Sequence, residues 1–292
     1  MSPSIGQLVV LFLAGGCFAG GVGASASRVW RGNDRYRLTG KVLYYLGLVL
    51  GLVVLVWHAA DRGEWVPLGD NFDTLVWLGM LLGLFVVYLQ RAKPLVGLDW
   101  FVMPVVVLLF ASAAVFGRAK PHEYVTSSLL WMHTVTSYLG AVAFVIAGAA
   151  GAMYLITNRR LRRKMSGPNF GSLERLENIT FVSVTAGFAL LTIGLVTGLA
   201  RVDHGDGGRL GPQWFTSPKV LLTAAVWLVY ALVLHSPINP SFRGRKTAML
   251  SILGLALMTG TIVAVQFMPG PDPAAADANQ STRLDTAGGA GQ

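Results

Sequence analysis

Eight stretches of roughly 20 apolar residues each dominate this chain of 292 residues. A segment of about 20 apolar residues is long enough to cross the hydrocarbon core of a bilayer as a helix. Only 13% of the residues are charged, about half the share found in a soluble domain. The sequence therefore predicts an all-α, polytopic integral membrane protein, a bundle of about eight transmembrane helices. The predicted segments are residues 5–27, 42–60, 72–90, 98–117, 129–156, 179–201, 219–236 and 247–268.

Short polar loops join these segments, so no separate soluble domain fits between them. We predict one transmembrane domain over residues 1–270. The remaining residues, 271–292, are rich in Ala, Gly, Pro, Asp and Asn. Such a composition buries too little apolar area to offset the entropy of ordering the chain. We expect these residues to form a disordered external tail.

Basic residues are distributed unevenly between the two ends of the predicted helices. The loops after segments one, three, five and seven carry 16 of the 23 Lys and Arg residues, and the largest cluster lies between residues 157 and 178. Loops that stay in the cytoplasm carry such an excess of Lys and Arg. We therefore expect these loops to be cytoplasmic and both termini to be external, in an inner or plasma membrane.

Composition also argues against several classes of function. The net charge of +9 reflects basic residues beside the membrane, where they meet anionic lipid. A soluble basic face with aromatic residues is missing, so we expect no nucleic-acid partner. Cys17 is the only cysteine, which excludes disulfide exchange by this chain itself. The eight segments contain almost no Asp or Glu, which argues against a small-molecule permease.

Glycines spaced four residues apart occur twice, as Gly16 with Gly20 and as Gly194 with Gly198. This spacing places small residues on one face of a helix, which allows a second helix to approach closely. We interpret both pairs as packing positions inside the bundle, and a contact between two copies of the chain is the alternative.

The five histidines differ in their predicted depth in the membrane. His58 ends segment two and His133 lies one turn inside segment five, so both are expected near the external face. His122 and His204 lie in external loops, and His235 lies at the cytoplasmic end of segment seven. Imidazole is a common axial ligand of haem iron, so His58 and His133 could hold a haem between helices. Alternatively, each is an interfacial polar residue at a helix end.

Several motifs follow one another from segment two onwards. They are Gly63, Pro67, Asn71, Phe72 and Asp73, then His133 with Tyr138, then Trp214-Phe215-Thr216-Ser217-Pro218-Lys219, and then Trp227, Tyr230 and Leu234-His235. In their order and their predicted sidedness, these motifs resemble the CcsA/CcmC/CcmF family of cytochrome c assembly proteins. The resemblance covers roughly residues 50–268.

The resemblance implies that the protein binds haem, or presents it at the external membrane face, in c-type cytochrome biogenesis. It implies that Trp214 belongs to an external haem platform and that His133 is the first of two external histidines beside it. His235 matches a transmembrane histidine that is associated with haem in CcsA members. The implied partners are haem, apocytochrome c, a CcsB-like protein and a thiol-reducing protein. The chain alone is not expected to be a complete haem-ligating enzyme.

The chain departs from the family pattern where a second external histidine should follow the last helix. That place reads Phe267-Met268-Pro269-Gly270. Met268, His58 or His204 could take the place of this ligand. Otherwise external haem ligation has been lost, as in HemX-like proteins, which have a similar length and a degenerate tryptophan-rich loop. A HemX-like membrane protein that regulates haem biosynthesis without ligating haem is therefore the alternative function.

Overall fold

The computed structural model describes residues 3–31, 34–63, 70–92, 97–117, 128–165, 170–203, 218–235 and 244–267. In these residues the chain forms eight α-helices, with a short 3-10 helix, Asp34–Tyr36, between the first two. This confirms the predicted all-α fold. The helices are α1 (Ile5–Arg31), α2 (Arg37–Arg62), α3 (Asn71–Ala92), α4 (Leu98–Phe116), α5 (Ser128–Arg162), α6 (Leu173–Asp203), α7 (Pro218–Leu234) and α8 (Arg245–Phe267).

Within the described residues, the six helices α1 to α6 are long and apolar enough to cross a membrane. The helix α7 is apolar but shorter, with 17 residues, and α8 has 23 residues. Large apolar side chains such as Phe12, Leu108 and Val196 are exposed on the outside of the bundle. Such a surface is unfavourable in water and suits a hydrocarbon environment.

Each predicted segment corresponds to one helix, but α5 extends well beyond the prediction. Its 35 residues span about 52 Å, whereas the hydrocarbon core is about 30 Å thick. The additional turn carries Arg159, Arg160 and Arg162. Basic side chains in a last turn interact favourably with the negative end of the helix dipole. Apolar residues thus indicate where the bilayer lies, while charged residues allow the helix to continue past it.

The helices form two groups of four that meet along α5. In the first group α1 packs against α2 and α4, and α3 packs against α4. In the second group α5 packs against α6 and α8, and α7 packs against α8. Each group has its own hydrophobic core, and α5 contributes side chains to both. Val142 and Ile146 belong to the first core, and Phe144 and Ala147 belong to the second. The helix α5 is therefore the central element of the fold.

Small residues allow α5 to pack closely against its neighbours. A Cβ atom on Gly151 would lie 2.9 Å from the Ala248 carbonyl oxygen of α8. A Cβ atom on Gly140 would lie 3.4 Å from the Gly187 carbonyl oxygen of α6. Helix backbones approach this closely in membranes where small residues form the contact.

The contacts between helices show which ends lie together. Gln7, near the start of α1, contacts His58, near the end of α2, so these two helices are antiparallel. A hydrogen bond between Thr74 of α3 and Tyr138 of α5 brings the starts of those helices to the same end. The end of the bundle that carries His58 therefore also carries the start of α5, and His235, just after α7, lies at the opposite end.

Candidate functional site

His133 lies in the second turn of α5 and is half buried against α6. Its Nδ1 donates a hydrogen bond to the backbone carbonyl oxygen of Gly194, at 2.7 Å. The ring also lies against Gly198, where a Cβ atom would come within 3.0 Å of the ring atoms Cε1 and Nδ1. The Thr197 hydroxyl, which donates to the Ile193 carbonyl oxygen at 2.8 Å, lies 3.1 Å from the same Gly194 carbonyl oxygen. The backbone of α6 therefore holds the ring of His133 in place.

The acceptor of this hydrogen bond determines which nitrogen of His133 carries the proton. A carbonyl oxygen can only accept, so Nδ1 is the donor and the lone pair of the neutral ring is on Nε2. Histidines that bind metals commonly have this arrangement, with one nitrogen bonded to a carbonyl or carboxylate and the other bound to the metal. The contact with α6 thus fixes the ring orientation and, in the neutral ring, places the proton on Nδ1.

His58 lies at the same end of the bundle but is buried among α1, α2 and α3. Its Nε2 lies 2.8 Å from Asp70 Oδ2, and its Nδ1 lies 3.2 Å from Gln7 Oε1. Gln7 in turn donates to Asp61 Oδ2, at 2.8 Å. The ring also packs against Phe72, with 4.8 Å between the ring centroids. Both ring nitrogens face hydrogen-bond acceptors, so His58 could bind iron only after losing one of these contacts.

Arg62 of α2 joins this group of polar residues. Its guanidinium pairs with the Asp73 carboxylate and lies 3.7 Å from Asp70 Oδ2. Both carboxyl groups are buried. Burial by itself would raise the pKa of Asp70, but the hydrogen bonds from His58 and from the Asp73 amide, together with the charges of His58 and Arg62, hold this pKa below its usual value. Asp70 is therefore a carboxylate at neutral pH.

These residues form an ionic cluster, which consists of Gln7, His58, Asp61, Arg62, Asp70 and Asp73. Three of them, His58, Asp70 and Asp73, bring one potential metal ligand each to within 4.8 Å of one another. However, the guanidinium of Arg62 already supplies the positive charge that the two carboxylates require. We interpret the cluster as a structural link between α1, α2 and α3.

The sequence indicated His58 as a candidate haem ligand or an interfacial residue, and it did not indicate that His58 pairs with these residues. The signal that could have revealed them is the spacing of His58 and Arg62, four residues apart on one face of a helix, before Asp70 and Asp73. Polar and charged residues at membrane depth are unfavourable unless they pair with one another, so such a group predicts an internal network. Gln7 lies 51 residues from His58, and only the fold brings the two together.

At the opposite end of the bundle, His235 is exposed. Its Nδ1 donates to the carbonyl oxygen four residues earlier in α7, at 2.8 Å. The aromatic residues of the same motif lie inside the second core. Tyr230 stacks on Phe144, with 3.7 Å between the ring centroids, and Trp227 donates its Nε1 to the Thr192 hydroxyl, at 3.1 Å. Trp227 and Tyr230 therefore hold α7 in the bundle, whereas His235 is accessible from outside it.

The predicted site residues are thus found in different surroundings. His133 packs against α6, His58 belongs to the ionic cluster, and His235 lies at the other end of the bundle. Trp214 and His204 lie outside the described residues, as do His122 and Met268. Of the predicted haem site, the structure therefore describes the surroundings of His133 but not those of Trp214.

Comparison with known sequences finds relatives that are cytochrome c biogenesis proteins. The family model described as "Cytochrome C assembly protein" matches residues 65–270. The chain is 24% identical over 263 residues to the "Cytochrome c biogenesis protein CcsA" of Synechococcus sp. (strain RCC307), a match covering 79% of this chain and 83% of that protein. It is also 24% identical over 258 residues to the CcsA of Guillardia theta, covering 78% and 84% of the two chains.

A solved structure shares the fold. It is the "Cytochrome c Heme Lyase CcmF", with a TM-score of 0.61 and 18% sequence identity. The match covers 91% of this chain and 49% of that one, so this chain spans about half the length of CcmF. At this identity the similarity establishes a common fold.

Proposed function

Since the chain belongs to the cytochrome c assembly protein family, we propose that it binds haem and presents it at the external face of the membrane for c-type cytochrome biogenesis. Haem is the cargo in this function, and the role of the chain is to bind and orient it. The geometry of His133 is the observation that carries the proposal beyond family membership. Its Nδ1 is bonded to the Gly194 carbonyl oxygen, so in the neutral ring Nε2 carries the lone pair that binds a metal.

The residues around His133 have complementary roles in this proposal. The indole of Trp214 would stack on the porphyrin face, a contact that aromatic rings make readily at the membrane interface. The second external ligand would come from His204 or Met268, because both nitrogens of His58 are bonded within the ionic cluster. Met can act as an axial ligand, as it does in c-type cytochromes.

The uneven distribution of Lys and Arg supports an orientation with both termini outside an inner or plasma membrane. In this orientation His133 is external and the loop around Lys164 is cytoplasmic. A Lys164→Cys variant in a Cys17→Ser background tests this directly. An impermeant maleimide should label position 164 only after the membrane is permeabilised, and labelling in intact cells would contradict the orientation.

The chain needs partners to complete haem attachment. It has a single cysteine, so the thiols of apocytochrome c must be kept reduced by another protein. The exposed position of His235 fits contact with a CcsB-like subunit. The other four histidines of the chain are expected at the external end, so a haem at His235 would take its second ligand from such a subunit.

A regulatory role in haem biosynthesis, of the HemX kind, is the second candidate. It would rest on the absence of a second external ligand, because Phe267-Met268-Pro269 stands where a second external histidine is expected and the nitrogens of His58 are already bonded. The two functions predict different effects in cells. A regulator of biosynthesis changes the total haem content, whereas a protein that presents haem changes the attachment of haem to cytochrome c.

An experiment in cells that depend on this chain for c-type cytochromes separates the two candidates. His133→Ala should abolish most covalently bound haem in c-type cytochromes, seen by haem staining of denatured membranes, and leave total haem unchanged. Asn158→Ala, a change at the opposite end of α5, is the control, and the two variants are compared at the same expression level. Normal haem staining in the His133→Ala strain would contradict the proposed function, and altered total haem would favour the regulator.

A further inference from the structure

We propose that Gly194 and Gly198 of α6 are positioning residues that set the orientation and the tautomer of His133. The inference rests on the proposed function, because the orientation of this ring matters for haem only if His133 binds the iron. It assigns a specific role to a pair of glycines whose spacing by itself indicates only close helix packing.

The first observation is the hydrogen bonding of the Gly194 carbonyl oxygen. It accepts from His133 Nδ1 at 2.7 Å, and the Thr197 hydroxyl, which donates to the Ile193 carbonyl oxygen at 2.8 Å, lies 3.1 Å from it. A carbonyl oxygen has two lone pairs and can accept more than one donor. The ring of His133 thus contacts a backbone atom, and this atom is accessible to it because α5 and α6 approach closely here.

The second observation is the space that each glycine leaves. Carbon atoms in contact prefer separations of about 3.5–4.0 Å. A Cβ atom on Gly198 would lie 3.0 Å from Cε1 and Nδ1 of His133, so the ring would have to shift by a few tenths of an ångström. A Cβ atom on Gly194 would lie 2.9 Å from the Ser137 hydroxyl oxygen, one turn further along α5. In contrast, a Cβ atom on Gly16 would meet nothing within 4 Å.

The chemical consequence concerns the electron density of the ring. Donating a hydrogen bond through Nδ1 makes the imidazole more basic at Nε2, which strengthens its bond to a metal. For iron, a more basic ligand favours the ferric state and lowers the reduction potential. A methyl group on residue 198 would displace the ring and weaken this hydrogen bond. Haem affinity should then fall by about 10–100-fold, the usual effect of losing such a supporting contact.

The contact itself is tested without haem by a double-mutant cycle on the thermal unfolding of the purified protein. Gly198→Ala should lower the unfolding midpoint of the otherwise unchanged chain by roughly 2–6 °C. In a His133→Ala background it should leave the midpoint unchanged or raise it, because the ring that it would meet is absent and Ala favours a helix over Gly. An equal loss in both backgrounds would overturn the inference, since Gly198 would then be required for some other contact.

The effect on haem is tested by comparing Gly198→Ala, Gly16→Ala and His133→Ala in haem affinity and in the reduction potential of bound haem. Gly198→Ala should bind haem about 10–100-fold more weakly and with a raised potential, while Gly16→Ala should match the wild type. Unchanged affinity and potential in Gly198→Ala, with haem lost in His133→Ala, would overturn the inference alone. Unchanged haem in His133→Ala would overturn the proposed function instead.

Discussion

Replacing Arg62 with Met should destabilise the protein by about 3 kcal/mol. The Arg62 side chain is only 11% exposed, and it pairs with the buried carboxylates of Asp70 and Asp73. At 3.7 Å and an effective dielectric constant of about 20, the attraction to Asp70 alone is roughly 4 kcal/mol. Removing the guanidinium also removes its desolvation cost, and one carboxyl group can then take up a proton. The net loss should therefore lie at the lower end of the ~3–5 kcal/mol that broken buried ion pairs cost.

Thermal unfolding in detergent, followed by tryptophan fluorescence, measures this loss. For a chain of this size, 3 kcal/mol corresponds to a midpoint shift of roughly 6–12 °C. Arg163→Met is the matched control, because Arg163 is exposed and should tolerate the change. The double variant Arg62→Met/Asp73→Asn should recover much of the loss, since it removes one of the two negative charges left behind. Equal midpoints for Arg62→Met and Arg163→Met would refute the structural role of the ionic cluster.

Three further predictions concern other parts of the molecule. The pKa of Asp70 is lowered from its usual 3.8, so this carboxylate stabilises the fold above pH 3.8 and this contribution is lost as the pH falls through the lowered pKa. The unfolding midpoint should therefore fall more steeply below pH 4 in the wild type than in Asp70→Asn. Equal slopes in the two proteins would contradict this prediction. Gly151→Val should lower the free energy of unfolding by about 1–3 kcal/mol, because its Cβ would lie 2.9 Å from the Ala248 carbonyl oxygen. Gly260→Val, with open space around it, should lower it much less in the same unfolding assay. A second haem that is lost in His235→Ala should appear only when a CcsB-like partner is co-purified, and its appearance in the isolated chain would rule out the need for the partner.

The sequence was sufficient to predict the helices because each membrane segment is a continuous apolar run. The lengths of α5 and α6 were underestimated, since the helices continue through charged residues such as Arg159 and Glu174 that no longer lie in the hydrocarbon. Helix ends in such regions depend on charge and local hydrogen bonding more than on hydropathy.

The candidate site was less predictable, for two physical reasons. The partner of His133 is the main-chain carbonyl oxygen of Gly194, and a backbone acceptor leaves no side-chain signature; only the glycine spacing indicates it. The hydrogen-bond partners of His58 are Gln7 of α1 and Asp70 just before α3, which lie far apart in the chain, so their contacts depend on how the helices pack. The sequence therefore identified the histidines but could not distinguish a ring bonded to a backbone carbonyl oxygen from one held in an ionic network.

The absorption spectrum of the detergent-purified protein tests the central claim, that His133 holds haem iron at the external face. The wild type should show a Soret band with low-spin features, His133→Ala should lose most of it, and Trp214→Ala should weaken it. The matched control is His235→Ala, which should leave the spectrum of the isolated chain unchanged. Unchanged haem content and an unchanged spectrum in His133→Ala would contradict the claim.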